Sequence, residues 1–456
     1  MRFIKWAAIT LLFLFVLFLL WLVLAESKWL PQTTDLQRKA LAIVAAPPVT
    51  AKGQHNAFAA LWLAPYDIPA ADLDKVMAMD LARYHVPKLG EETATDFVSS
   101  AEGRYRKTAS VDFTSDLLCK PSAEDCLAKV RSNLSAVRTL LASDALLIDH
   151  ARALDAYDYY HDPFPPSITN PPPRGLTVGK LQISDAALRF ADGDKAEGLE
   201  RACSAAETWR RLATHSDSLI MQMIGVANFH GAADLFADML AEMPADAPLP
   251  DSCTRAFVPI AAADLGICDT MKTEFRFNQS MSDMIGDPRY KQVVAPDASS
   301  VTYFFGSLLF NKRATDALRA INTASYCTSD PDIQQESTRL RTAPLWDVTG
   351  VQGTLFNPIG SILVARGMPA YAEYPVRMHD LDAMNRLVGA ALALRLSTAK
   401  SAANSADASG ASSEPVALPT GVTLDPRDHL LHARRAYKRS DQGEDFTIPV
   451  PASRLQ

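Results

Sequence analysis

The residues best equipped for chemistry stand in one run, Tyr157-Asp158-Tyr159-Tyr160-His161-Asp162-Pro163-Phe164. A histidine beside carboxylates can move a proton near neutral pH, and tyrosine hydroxyls can act as acids or donors next to it. Aromatic side chains at this density also mark recognition surfaces. Tyr157, Tyr159, Tyr160, His161 and Asp162 are the candidate binding residues on these grounds. The plainer alternative is a helix end whose tyrosines pack beneath the proline-rich stretch that follows. A second set joins Phe356-Asn357-Pro358-Ile359-Gly360 with Arg377, His379 and Asp380. Asn-Pro-x-Gly more often builds a tight turn, so packing leads there. His429 and His432 lie near Asp425 and Asp428, but no cysteine or further carboxylate cluster completes a site. The expectation is a solvated terminal segment without a metal. His150 and His230 fall inside helical patterns, where a packed or surface histidine is the simplest reading.

The short signatures of common catalytic classes are missing. No HExxH, GxSxG, GxGxxG or EF-hand loop occurs, and Gly179-Lys180-Leu181 fails as a P-loop at both ends. No CxxC is present either, so neither a thioredoxin-like redox centre nor a paired-knuckle zinc site is expected. No cofactor is expected, and no catalytic residue is identified.

The six cysteines are Cys119, Cys126, Cys203, Cys253, Cys268 and Cys327. An even number suits an oxidising compartment. Cys119 and Cys126 flank a segment bent by Pro121, and Ser122 with Asp125 resembles a helix cap, so a loop cysteine can reach one in the first helical turn. This is the expected disulfide. If residues 252–275 form one helix, Cys253 and Cys268 lie about 22 Å apart, against a limit of about 7 Å for a bridge. They pair only if Pro259 breaks that helix. Otherwise each takes Cys203 or Cys327, or stays a buried thiol, and the pairing of these four remains open.

The elements that must position these residues begin with an anchor. After Arg2 and Lys5, the run Trp6–Ala25 holds 20 uncharged, mostly apolar residues. About 20 such residues cross a bilayer as a helix. Trp6 and Trp21 stand near its ends, and the basic residues before it should stay cytoplasmic. The expectation is a single-pass protein of the bacterial inner membrane, contacting lipid through residues 6–25, with the bulk of the chain periplasmic. A signal peptide cleaved after Val23-Leu24-Ala25 is the alternative. No second run is long enough, which excludes a polytopic transporter. The 456 residues carry 45 Lys+Arg against 52 Asp+Glu, a net charge of −7, and the part after Ala25 stands at −9. Such a body is not a default nucleic-acid binder, and with 48% apolar residues it is not a disordered chain.

The rest reads as mostly α: a multi-helix periplasmic body with a small C-terminal β-hairpin. Residues 26–161 form a first helical lobe, beginning with a helix from Asp35 to Ala46 that Pro47-Pro48 ends. Its clearest segment runs from Ser122 to about Tyr160, with Leu127, Val130, Leu134, Val137, Leu140, Leu141, Leu147 and Leu154 at helical spacing. Residues 162–174 hold six prolines and read as an extended crossover. A second helical lobe covers residues 175–396: a hairpin of Leu176–Ala191 and Ala196–Leu212 around Gly193, then helices at Ser218–Met243, 252–285, 302–327 and Pro375–Leu396. Trp346–Ile362 is expected to be irregular. Residues 397–421 read as a flexible Ser/Ala-rich linker, and 422–456 as a tail in which Leu430–Lys438 and Asp445–Val450 form a hairpin through Gly443.

Two segments carry a resemblance. Asp125-Cys-Leu-Ala-Lys-Val-Arg-Ser-Asn-Leu, continuing to Leu154, is one. The other is Asn357-Pro-Ile-Gly360 with Tyr371-Ala-Glu-Tyr374, Arg377, His379-Asp-Leu-Asp382 and Ala393-Leu-Arg395. Together they resemble a group of bacterial single-anchor envelope proteins that has no assigned activity, so the resemblance implies an envelope location and no catalytic residue. The chain end around Asp425-Pro426 is similar to the tail of pseudopilin-like proteins, but lacks their Gly-rich calcium signature and a prepilin cleavage site. The expected function is a membrane-anchored periplasmic interaction or scaffold protein with an envelope protein as partner. The alternatives are an enzyme with a site assembled from distant residues, and an assembly factor of a secretion or pilus system.

Overall fold

The computed structural model describes residues 2–48, 53, 55–84, 97–108, 115–121, 125–167, 170, 177–244, 246–285, 287, 291, 295–367, 371–405, 417–425, 427–437 and 443–450. Helix α1 (Arg2–Ser27) is the one helix among the described residues long and apolar enough to cross a membrane. Its side chains from Ile4 to Leu20 face outward. At its end Ala25 turns buried against Leu308 and Phe356. Helix α2 (Asp35–Ala45) starts at a capping box in which Thr34 and Gln37 each satisfy the other's backbone N–H. It buries Ala40 and Val44.

Short helices α3 (Phe58–Trp62) and α4 (Leu73–Arg83) follow. The expected long helix after Ser122 is instead three: α5 (Cys126–Ser132), α6 (Leu134–Ser143) and α7 (Ala145–Arg152). Asn133 and Asp144 leave helical geometry at the two breaks. Asn and Asp offer the backbone local alternatives to the helical ladder, and Asn133 bonds back to Lys129 O at 3.0 Å. The apolar stripe survives the breaks: Leu127, Val130, Val137, Leu141, Leu147 and Leu154 are all buried.

The centre is α8 (Val178–Ala191), α9 (Lys195–Thr214) and α10 (Leu219–Ala241). The α8–α9 hairpin turns at Gly193, whose φ of 99° suits glycine. A Cβ on Gly198 would lie 2.6 Å from the Phe190 Cβ, so the hairpin closes only over a glycine. One hydrophobic cluster joins residues 57–164 to these helices and to the strands between Val422 and Val450. Buried Arg395 donates to the carbonyls of Leu240 and Met243 and so caps α10.

Residues 252–285 are not one helix. α11 (Asp251–Ala256) stops before Pro259, and α12 (Cys268–Ile285) begins a new axis. Proline lacks the donor a continuing helix needs. The break does not join Cys253 to Cys268. The disulfides are Cys119–Cys126, as expected, with Cys203–Cys253 and Cys268–Cys327. Residues 302–327 also divide, into α13 (Ser300–Leu308) and α14 (Lys312–Ala324), at Asn311, which caps α14. After α15 (Pro331–Thr342), the stretch expected to be irregular is helical: α16 (Leu345–Phe356), bent at Gly350, and α17 (Pro358–Gly367). Pro358 opens α17, where its missing N–H costs nothing. α18 (Glu373–Ser405) runs nine residues beyond Leu396 into the stretch expected to be a linker. Alanine, frequent there, is the strongest helix former. Residues 406–416 lie outside the described ones, as do 168–169 and 171–174 of the expected crossover.

The tail holds three strands rather than two. β1 (Val422–Asp425), β2 (Leu430–Arg434) and β3 (Asp445–Pro449) pair antiparallel in that order, with Leu431 opposite Leu424 and Ile448. Val422, Leu431, Ala433, Phe446 and Ile448 are buried in the main cluster.

Candidate functional site

The aromatic run begins at a helix end, as the plainer alternative has it: Tyr157 caps a short 3-10 helix, Ala153–Ala156, that follows α7. From there the chain lies extended between two other segments, with Tyr159 bridged to Asn56 and Tyr160 to Ser216. Tyr159 O accepts from Ala57 N and Tyr160 N donates to His215 O, both at 2.9 Å. Tyr160 is buried 5.7 Å from the Phe58 ring, and burial pushes its phenol well above the ordinary range. Phe164 inserts among Phe58, Trp62, Tyr84 and Phe97. Tyr157, half-buried against the same core, lines a cavity of about 470 Å³ with His55, Phe58, Asp74 and Met77.

His161 finds a partner that the sequence pattern does not disclose. Its Nδ1 lies 2.6 Å from Asp217 Oδ2, and Asp217 is only 4% exposed. The hydrogen bond to Asp217 raises the imidazole pKa. Asp162 accepts from Phe164 N at 2.9 Å, and burial lifts its carboxyl to about 6. An oriented His–Asp couple can hold a proton, yet His161 is half-exposed and does not line the cavity that Tyr157 enters. What the couple visibly does is bind the start of the proline-rich segment to the α9–α10 turn.

The second sequence-derived set is dispersed. Asn357 is buried under α14, its Oδ1 accepting from Asn311 N at 2.8 Å and Thr315 Oγ1 at 3.2 Å. Arg377 and Asp380 instead grip the tail: Asp380 accepts from Ala436 N, and Arg377 lies 4.4 Å over the Tyr437 ring. Asp425, Asp428 and His432 do come together, with potential ligand atoms within 4.8 Å. His432 and Asp428 already pair at 3.1 Å, and the backbone N–H of Leu430 holds Asp428 below its usual pKa.

A better-formed site lies between α12, α14 and α17, where a cavity of about 460 Å³ opens. Helical spacing places Met271, Phe275 and Asn278 of α12 on one face, joined by Met281. Ile362, Leu363 and Val364 of α17 supply the opposing apolar wall. Polar groups enter at one point. Arg319 of α14, 9% exposed, donates through Nη1 to Asn278 O at 3.1 Å and Ser282 Oγ at 2.6 Å. Asp316, one turn earlier, lies 3.9 Å from the same nitrogen. Both hydrogen bonds use Nη1, and the Asp316 Oδ1 beside it is buried without a hydrogen-bond partner among the described residues. Tyr371 OH approaches Glu274 Oε2 at 3.4 Å and accepts from Asn278 Nδ2 at 3.2 Å. Burial raises the pKa of Glu274, while burial and then the neighbouring Glu274 raise that of Tyr371. Arg366 stands exposed at the rim.

The arrangement is an apolar slot with a buried cation and a tyrosine–carboxyl pair at one end. Small-molecule sites have this composition, a mostly apolar lining with a few placed polar groups. Methionines add a wall that can adapt its shape. Of these residues the sequence singles out only Tyr371, through a resemblance and not as a site. The available signal was the polar pair Glu274 and Asn278, one turn apart beside Met271 and Phe275. That signal has meaning only once α14 brings Arg319 opposite. Comparison of the chain with protein-family models, with curated proteins and with solved structures returned no match.

Proposed function

We infer that this chain is a single-pass, membrane-anchored envelope protein whose body binds an amphipathic small molecule in the α12–α14–α17 cavity. The observation that carries the reading is Arg319: a buried guanidinium, 9% exposed, lining a cavity beside Met271, Phe275, Met281 and Ile362. Desolvating a cation is unfavourable unless hydrogen bonds offset it, and an anionic or strongly polar head on the ligand supplies them. The methionine and isoleucine walls take its apolar part. This reading puts a small ligand where the sequence led to the expectation of an envelope protein partner.

Retention of α1 is supported by how the body holds its end. Lys28 Nζ donates to the carbonyls of Ser307, Leu308 and Phe310 at 2.7–3.2 Å. Asn311 Nδ2 donates to Lys28 O and Leu30 O, and Arg313 Nη2 to Trp29 O and Pro31 O. Ala25, after which a peptidase would cut, is 2% exposed inside a helix. Arg2 and Lys5 favour a cytoplasmic N-terminus, and three disulfides suit a periplasmic body.

The test is native mass spectrometry of the full-length protein released from detergent. Wild type should carry an amphiphilic adduct that Arg319→Met loses and Arg339→Met, altered at the surface of α15, retains. A wild type without adduct, or an Arg319→Met protein that keeps it, refutes the reading.

A further inference from the structure

The body presents an apolar face next to the anchor. On α13, Val301, Phe304 and Phe305 are 66%, 55% and 43% exposed; on α16 and α17, Val351, Leu355 and Ile362 are 76%, 48% and 47% exposed. Soluble surfaces seldom gather large apolar side chains in this way. Residues 299–310 carry no charge, and residues 345–364 carry only Asp347. This face joins α1 directly. Trp21, Leu22 and Leu24 pack against the Ala25–Leu308–Phe356 cluster, and Trp21 Nε1 donates to Leu355 O at 3.3 Å.

Depth follows from helix geometry. At about 1.5 Å per residue the run Trp6–Ala25 spans about 30 Å, the thickness of the hydrocarbon layer. Trp21 is four residues inside the end of that run, so about 6 Å below the hydrocarbon boundary. The hydrogen bond brings the Leu355 carbonyl to the same level. The carbonyl is satisfied by the indole, as a main-chain group at that depth must be. The clamp on residues 28–31 leaves no free linker that would let the body swing away from the bilayer.

We propose that α13 and α16 with the start of α17 form a platform inserted into the periplasmic leaflet around α1, with lipid acyl chains as the occupant of the face. This rests on α1 being a retained span. Amphipathic helices bind in this manner, their apolar side about 5–10 Å into the headgroup–acyl boundary. Lys28 and Arg313 lie just above, directed at backbone carbonyls of the clamp. Ile362 and Arg366 also line the ligand cavity, so its rim borders the platform.

The test uses full-length protein in vesicles of phosphatidylethanolamine and phosphatidylglycerol. The photoreactive amino acid p-benzoyl-phenylalanine replaces, one at a time, Phe304, Val351, Phe13 in α1, and Ile220, an exposed apolar residue of α10 outside the cluster that packs on α1. Lipid adducts at Phe304 and Val351 should come within about threefold of Phe13 and exceed Ile220 by about tenfold, as insertion to acyl depth requires. Lipid adducts at Phe13 with none at Phe304 or Val351 overturn the platform and leave the anchor standing. No lipid adduct at Phe13 overturns the anchor and the platform with it. Adducts to a protein at Phe304 or Val351 overturn the lipid assignment.

Discussion

His230 should make the protein sensitive to acid in a way one substitution removes. Its ring projects from α10 with Nε2 buried, 5.3 Å from the Phe446 ring of β3 and 6.1 Å from Phe229. Burial lowers its pKa from the ordinary 6.5 to about 4. A depressed histidine pKa means that the unfolded chain takes up the proton first. The stability tied to neutral His230 is complete above the unfolded pKa and lost as pH falls toward the folded one. With about 1.4 kcal/mol per unit, and half protonation at the folded pKa, the loss from about pH 7.5 to pH 4 is about 3 kcal/mol. Asp162 and Asp238, each raised to about 6 by burial, act in the opposite direction. They are protonated in the folded state before the unfolded one, so they add stability as pH falls from above 6 toward 4. A wild-type curve alone therefore mixes the two signs. The difference between wild type and His230→Leu isolates the histidine, because both carboxyls are common to the two proteins. Urea unfolding of full-length protein in dodecyl maltoside, followed by tryptophan fluorescence, measures it. Wild type should lose about 3 kcal/mol more than His230→Leu over that window. Since His230 packs on β3, hydrogen exchange in β2 and β3 should rise first. Parallel curves for the two proteins would refute the argument that burial holds this ring neutral.

Replacing the Cys203–Cys253 or Cys268–Cys327 pair by serines should cost about 4 kcal/mol each, and the Cys119–Cys126 pair about 2, because sequence separations of 50, 59 and 7 close loops of different entropy. Equal losses in urea unfolding would show that loop closure is not the source. Asp217→Asn should lower the His161 pKa toward its ordinary value, since the hydrogen bond to Asp217 is what raises it. The stabilisation from protonated His161 is complete below the unfolded pKa near 6.5 and lost as pH rises through the folded one. An imidazole titration by NMR that does not move in Asp217→Asn rules the pairing out.

Local chemistry in the sequence was enough for several elements. An uncharged run of 20 residues between basic and polar flanks has few folded forms other than α1. Gly193 between two apolar periodicities determined the α8–α9 hairpin. Cys119 and Cys126, with Pro121 between them, are close in space because they are close in the chain. The errors fall where local signals compete with long-range ones. Leucine spacing through residues 122–160 marked the core face, but Asn133 and Asp144 broke the axis without disturbing that face. Glycine and proline between 346 and 362 suggested a loop, yet Pro358 starts a helix and Gly350 only bends one. Alanines carried α18 past Leu396, where low hydrophobicity suggested a linker.

Fold class, the long apolar N-terminal helix and one disulfide were thus readable from residues within a few turns of each other. Only the tertiary structure decided that Cys253 meets Cys203 and Cys268 meets Cys327, that His161 meets Asp217, and that Arg319, Glu274 and Tyr371 line one apolar slot. The physical reason is range. Helix propensity, capping and membrane partition act over neighbouring residues and leave a periodic trace in the chain. The partner of a buried charge or a thiol is selected by which helix faces pack together, and no spacing along the chain encodes that by itself.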